Sequence, residues 1–110
     1  MSAALVYMTA ADKQEAGRIA ATLLEQRLVA CVNVLGTAES FFTWHGAVQN
    51  EAETVFVAKT RAELVPQLTT AVRGAHSYEC PCVVALPIID GDPEFIAWIH
   101  DATKDAAASS

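Results

Sequence analysis

The chain has 110 residues, enough for one domain and too few for two comfortable ones. It is 53% hydrophobic and 18% charged, which supports a packed core and excludes intrinsic disorder. Thirteen acids against seven bases leave a formal charge of −6, so phosphate backbones would be repelled and no nucleic-acid partner is expected.

No uncharged stretch exceeds 11 residues, against about 18–20 for a membrane-crossing helix, so no membrane partner is expected either. Met1–Ala11 has no basic segment ahead of its apolar residues and does not read as a secretory signal. Three cysteines, an odd number, then point to reduced thiols and a cytoplasmic location.

Ala4–Met8 is the first apolar run and reads as a short buried strand. Asp12 offers an N-cap, and Glu15 three residues on completes a capping-box pattern. Ala16, Ile19, Ala20, Leu23 and Leu24 recur at helical spacing, which predicts a helix over Lys13–Arg27. Val29–Leu35 is rich in β-branched residues and reads as a strand, and extended character resumes over Ser40–Trp44 after Gly36-Thr37. His45-Gly46 is a turn, and Glu53–Lys59 returns as the partner strand of a long hairpin.

A second helix starts around Ala62–Leu64, carries Leu64, Leu68, Ala71 and Val72 on one stripe, and stops at Gly74. Pro66 fits only its first turn. Cys82–Ile88 is a strand whose Pro87 suits a sheet edge. Asp92 caps a third helix, with Pro93 at its first position and Phe95, Ile96 and Ile99 on its apolar face. Residues 1–103 read as a single domain and 104–110 as a flexible tail.

The order β-α-β-β-α-β-α fits an α+β, ferredoxin-like arrangement of two split β-α-β halves, with helices packed on one sheet face and an additional C-terminal helix. An unbroken strand over Val29–His45 would span about 55 Å at roughly 3.3 Å per residue. A compact domain of this size is only about 35 Å across. The strand must therefore bend near Gly36 or the hairpin must project, and a projecting hairpin exposes edges that another subunit would cover.

The densest group of chemically capable side chains is His76, Tyr78, Glu79, Cys80 and Cys82, after the second helix. Imidazole, carboxylate and thiol together could hold zinc or copper. An extended backbone would send Glu79 and Cys80 to opposite sides and Cys80 and Cys82 to the same side, offering paired sulfurs suited to Cu(I). The plainer reading makes His76 and Tyr78 surface or interface residues and Cys82 part of the core. Cys31, inside a strand, reads as a small buried hydrophobe.

Trp44, at the hairpin tip, is either a binding or subunit contact or packs on its own hairpin. Glu51 and Glu53 could pair with Lys59 along their strand or belong to a solvated face, and Trp98 reads as packing. There is no phosphate loop, G-x-S-x-G, H-E-x-x-H or C-x-x-C, and no nucleophile has a base close by in sequence. No enzyme is indicated, and no organic cofactor is expected.

Ala30-Cys31-Val32-Asn33, Trp44-x-Gly46, Glu53, Lys59-Thr60, His76-x-Tyr78-Glu79-x-Pro81 and the run from Pro87 through Gly91 to Trp98 carry a resemblance. In order and spacing the chain is similar to the divalent-cation tolerance proteins of the CutA family, over roughly residues 4–103. The resemblance implies a ferredoxin-like protomer in a homotrimer assembled like PII signalling proteins. It also implies a binding protein that responds to metal ions, with copper or another divalent metal ion as ligand.

On the same basis Trp44, Glu53, Lys59 and Tyr78, with His76 and Glu79, would map near clefts between subunits. Some relatives carry Cys at the place of Met8 and His at that of Ala75, where they join His76 in a copper site. Here Met8 could offer a thioether and Ala75 offers nothing, and Ser77 stands where most relatives have Pro. The candidate metal residues are therefore His76, Glu79, Met8, Cys80 and Cys82. The alternative is a PII-like signalling scaffold that binds a small anionic ligand through Lys59 with Trp44 and Tyr78.

Overall fold

Ala4, Val6, Met8 and Ala10 alternate along the first strand and are buried together, so one face of the strand must be roofed. In the computed structural model, which describes residues 2–106, two helices supply that roof. Strand β1 (Ala3–Ala10) leads into helix α1 (Lys13–Glu25), and strands β2 (Cys31–Trp44) and β3 (Ala47–Arg61) form the hairpin. A single 3-10 turn over Ala62–Leu64 precedes helix α2 (Val65–Ala75), then strand β4 (Val83–Ile88) and helix α3 (Pro93–Thr103). The strands pair antiparallel in the order β2-β3-β1-β4, which is the ferredoxin-like topology the sequence predicts.

Ile19 and Leu23 of α1, Leu68 and Val72 of α2, and Phe56 of β3 close over Val6 and Met8 as the main core. Helix α3 departs from the expectation that all helices share one face. Its Ile99 packs on Ala3, Ala30 and Ile88, and its Thr103 is held by Arg61. Ala3 and Arg61 are partners on the face opposite Val6 and Phe56, so α3 covers one end of the other side of the sheet. Its apolar stripe is too short to roof more than that end, and Tyr7, Val84 and Leu86 stay exposed there.

Helix α1 ends at Glu25 rather than Arg27, because Arg27 takes φ +56° and turns the chain. Leu28 N–H then bonds Leu23 O and Arg27 N–H bonds Leu24 O, a Schellman closure that sends Leu28 into the core. Helix α2 runs past Gly74 to Ala75. Pro66 is tolerated because it lies in the first turn of that helix. Strand β4 lies at a sheet edge, where Pro87 costs no ladder bond to a further strand.

The hairpin bends where the sequence requires it. Val34 pairs with Phe56 and Gly36 with Val55, so Leu35 is an extra residue in a bulge, and Gly36 takes φ +128°. Beyond the bulge the two strands continue in register to Trp44 opposite Ala47, closed by His45 and Gly46, both at positive φ. That is the geometry a two-residue hairpin turn needs to match strand twist. The molecule measures 44 × 31 × 23 Å, so the hairpin both bends and projects. Of the expected tail, residues 107–110 lie outside the described residues.

Candidate functional site

The chain between α2 and β4 is anchored by a carboxylate from elsewhere. Asp12 Oδ1 accepts the Glu15 N–H at 2.8 Å, which starts α1 and points the Glu15 side chain back across its own N-terminus. Glu15 is only 3% exposed, and its oxygens accept the N–H groups of Ala11 (2.9 Å) and Ser77 (2.8 Å). Burial pulls its carboxyl pKa upward, but these hydrogen bonds outweigh burial and hold it below the ordinary value.

His76 completes the anchor. Its ring is fully buried, Nε2 lies 2.8 Å from Thr9 O, and Nδ1 accepts the Tyr78 N–H at 3.0 Å. An acceptor at Nδ1 and a carbonyl opposite Nε2 select the neutral tautomer with the proton on Nε2. Both ring nitrogens are thereby engaged, and the ring packs 4.6 Å from that of Tyr78.

The anchored segment forms one wall of a cleft of about 690 Å³, with Tyr7 and Thr9 on its floor and the outer hairpin as the other wall. Residues 77–80 bend instead of running straight, so Glu79 turns to the same side as Cys80 and Cys82. The strict alternation expected from an extended backbone does not apply there. From β3 come Glu51 and Glu53, and from β2 Phe42 and Trp44. Tyr78 hydroxyl bonds Glu53; burial, then Glu53 and the other nearby carboxylates, push its pKa up to about 12. Burial, then Glu53 and Cys80, raise the thiol of Cys82 as well, which keeps it protonated at neutral pH.

Among the described residues lining this cleft are three carboxylates and no lysine, arginine or histidine. Of the residues singled out from the sequence, Trp44, Glu53, Tyr78, Glu79, Cys80 and Cys82 meet here. Met8 does not: it is fully buried between the sheet and helices α1 and α2. Lys59 does not either. It lies six residues along β3 from Glu53, about 20 Å at strand rise. There its ammonium donates to Asn33 Oδ1 at 2.7 Å, approaches Cys31 Sγ at 3.9 Å and faces the Phe95 ring at 5.8 Å.

Trp44 remains half exposed, with His45 edge-on at 5.1 Å, and Trp98 packs on Phe95. Sequence reasoning missed two parts of this arrangement. Glu15 showed itself only as a cap, although its spacing from Asp12 was the available signal. The same-face spacing of Glu51 and Glu53 marked a shared surface without revealing the loop opposite. Among the described residues no three His, Cys, Asp or Glu side chains already converge as a ligand set.

The fold and the cleft define a small ferredoxin-like α+β protein with an acidic, aromatic-walled cavity on the open side of its sheet. The CutA1 divalent ion tolerance protein family matches residues 4–102, and the chain belongs to that family. The divalent-cation tolerance protein CutA of Archaeoglobus fulgidus is 40% identical over 99 residues, covering 90% of this chain and 96% of that protein. Mouse protein CutA is 35% identical over 108 residues, covering 98% of this chain and 61% of its own length. The crystal structure of CutA1 from Oryza sativa superposes with a TM-score of 0.92 at 35% identity, covering 96% of this chain and 97% of that one.

The chain spans about three fifths of the length of the plant and mouse curated relatives it matches. Among the described residues no helix is long and apolar enough to cross a membrane. The relatives differ in address: the rice and Arabidopsis proteins are called chloroplastic, and the Archaeoglobus structure is described as periplasmic.

Proposed function

We propose that the protein is a homotrimeric divalent-cation tolerance protein that binds copper or another divalent metal ion in the acidic cleft, and that it is a binding protein rather than an enzyme. The observation that carries this reading is the charge of the cleft, with Glu51, Glu53 and Glu79 around one cavity and no basic side chain among the described lining residues. Such a cavity concentrates cations and repels anions. Carboxylates suit a divalent ion, and the thiols of Cys80 and Cys82 at its wall extend the range of metals toward softer ones. His76 serves this site by fixing the loop, with both nitrogens committed to it. Membership of the divalent ion tolerance family supports the metal-related role.

The exposed apolar residues Tyr7, Val84 and Leu86 support assembly, since one chain leaves them uncovered. A second chain would also supply the ligands that complete coordination. The anion-binding scaffold reading needs Lys59 in the cavity, and its bond to Asn33 outside the cleft favours the cation reading. The reduced thiols suit a cytoplasmic setting. Native mass spectrometry with one equivalent of Cu(II) per chain tests the whole reading. The expected species is three protomers with a fixed copper count that falls when Glu51, Glu53 and Glu79 become Gln. A monomer would overturn the assembly, and a trimer without copper would overturn copper as the ligand.

A further inference from the structure

We propose that Cys80 and Cys82 form a separate two-coordinate site for a soft monovalent cation, with Cu(I) as the biological candidate, at the wall of the cleft. The inference deepens the cation reading of the cleft and rests on it for the location, taking up the two thiols without the carboxylates. Both thiols are free, and both line the same cavity. Pro81 between them fixes its own φ and biases Cys80 toward extended backbone. Cys82 directly precedes β4, whose Val83 pairs with Met8, and so lies beside Thr9 on the cleft floor.

Both residues line the same cavity, and their backbone positions are at most about 7 Å apart, the span of two fully extended residues. That span suits a metal bridge: two sulfurs on opposite sides of one ion, each about 2.3 Å away, are about 4.6 Å apart, and side-chain rotation closes the difference. Cys82 is partly buried, whereas Cys80 is exposed. Ligand count then selects the ion. Among the described residues no third His, Cys, Asp or Glu converges with the pair, so zinc would lack its four ligands, whereas a linear Cu(I) centre is complete with two.

Other sulfur and nitrogen donors are placed elsewhere. Met8 is sealed in the core, Cys31 sits beside Lys59, and the nitrogens of His76 are engaged. Binding is a ligand exchange without redox change: two thiols lose their protons to water, and one Cu(I) joins both sulfurs as a bis-thiolate.

The test is anaerobic Cu(I) titration of the reduced protein against the chelator bicinchoninate, beside Cys80→Ser, Cys82→Ser and Cys31→Ser. One Cu(I) per chain is expected in wild type and in Cys31→Ser. Either cleft variant should lose affinity by more than the roughly 10–100-fold that outer-shell changes cost. Native mass confirms that each variant keeps the wild-type assembly, and Ag(I) quenching of Trp44 fluorescence in a Trp98→Phe background gives a second readout. Wild type that yields all its Cu(I) to the chelator, or Cys80→Ser that binds as wild type does, would overturn the proposal. The Glu51, Glu53 and Glu79 to Gln variant separates the two readings. If it loses Cu(II) but keeps Cu(I), both stand; if wild type binds Cu(II) and not Cu(I), the dithiol site alone fails.

Discussion

Glu15 is a carboxylate with almost no contact with water, yet it is held ionised by the two backbone N–H groups it accepts. Because folding lowers its pKa below the ordinary 4.5, its contribution is complete at neutral pH. That contribution is lost as the pH falls from about 4.5 through the lowered folded value. Urea unfolding followed between pH 3 and 7 should show stability falling toward acid more steeply in wild type than in Glu15→Gln. The same variant should cost about 1–3 kcal/mol at pH 7, since a buried amide donor loses a charged acceptor. Parallel acid limbs in the two proteins would contradict this assignment.

At this scale the sequence showed the types of residue but not their partners. Asp12 and Glu15 were legible as a cap because capping is local. The bond from Ser77 to Glu15 spans 62 residues and has no local signature. His76 was legible as a candidate ligand, and only the positions of Thr9 O and Tyr78 N show where its nitrogens are committed.

Among the elements, the end of α1 carries an evident strain. Arg27 occupies the left-handed position of the Schellman closure, where glycine avoids the clash of a side chain with the backbone. Arg27→Gly should therefore raise stability by about 1 kcal/mol, read as a higher urea midpoint. The ion pair it forfeits, to Asp105 at 4.0 Å, is exposed on both sides and offsets little. A lower midpoint would show that the Arg27 side chain matters more than its backbone geometry.

The elements themselves were largely readable. Helices α1 and α3 have side-chain caps at Asp12 and Asp92, and β-branched runs marked the strands. The far half of the hairpin was harder, because Ala47–Ala52 lacks both β-branched density and a buried face. Its strand character comes from pairing with β2. The placement of α3 on the second face was also hidden, since Phe95, Ile96 and Ile99 mark an apolar stripe without saying which layer it meets.

For the molecule as a whole, the proposed trimer would be held through the unroofed part of the sheet. Tyr7, Val84 and Leu86 lie on neighbouring strands of the face that α3 leaves open, away from the core formed by α1 and α2. Leu86→Glu should put a charge on that face without touching the core. Native mass should then shift from three protomers toward one, with the circular-dichroism spectrum unchanged. A variant that stays trimeric would move the subunit contact to another surface. The element order and the family resemblance both anticipated the protomer topology, whereas composition had bounded only its size.

The projecting hairpin also governs how the separated chain would move through solvent. With a radius of gyration of 14.4 Å against about 13 Å for a compact domain of this length, and a long axis nearly twice the short one, friction exceeds that of a sphere of equal mass. A Leu86→Glu monomer would therefore elute ahead of its mass on a sizing column. Diffusion and sedimentation measured together would return the true mass and, from their ratio, the reach of the hairpin in solution.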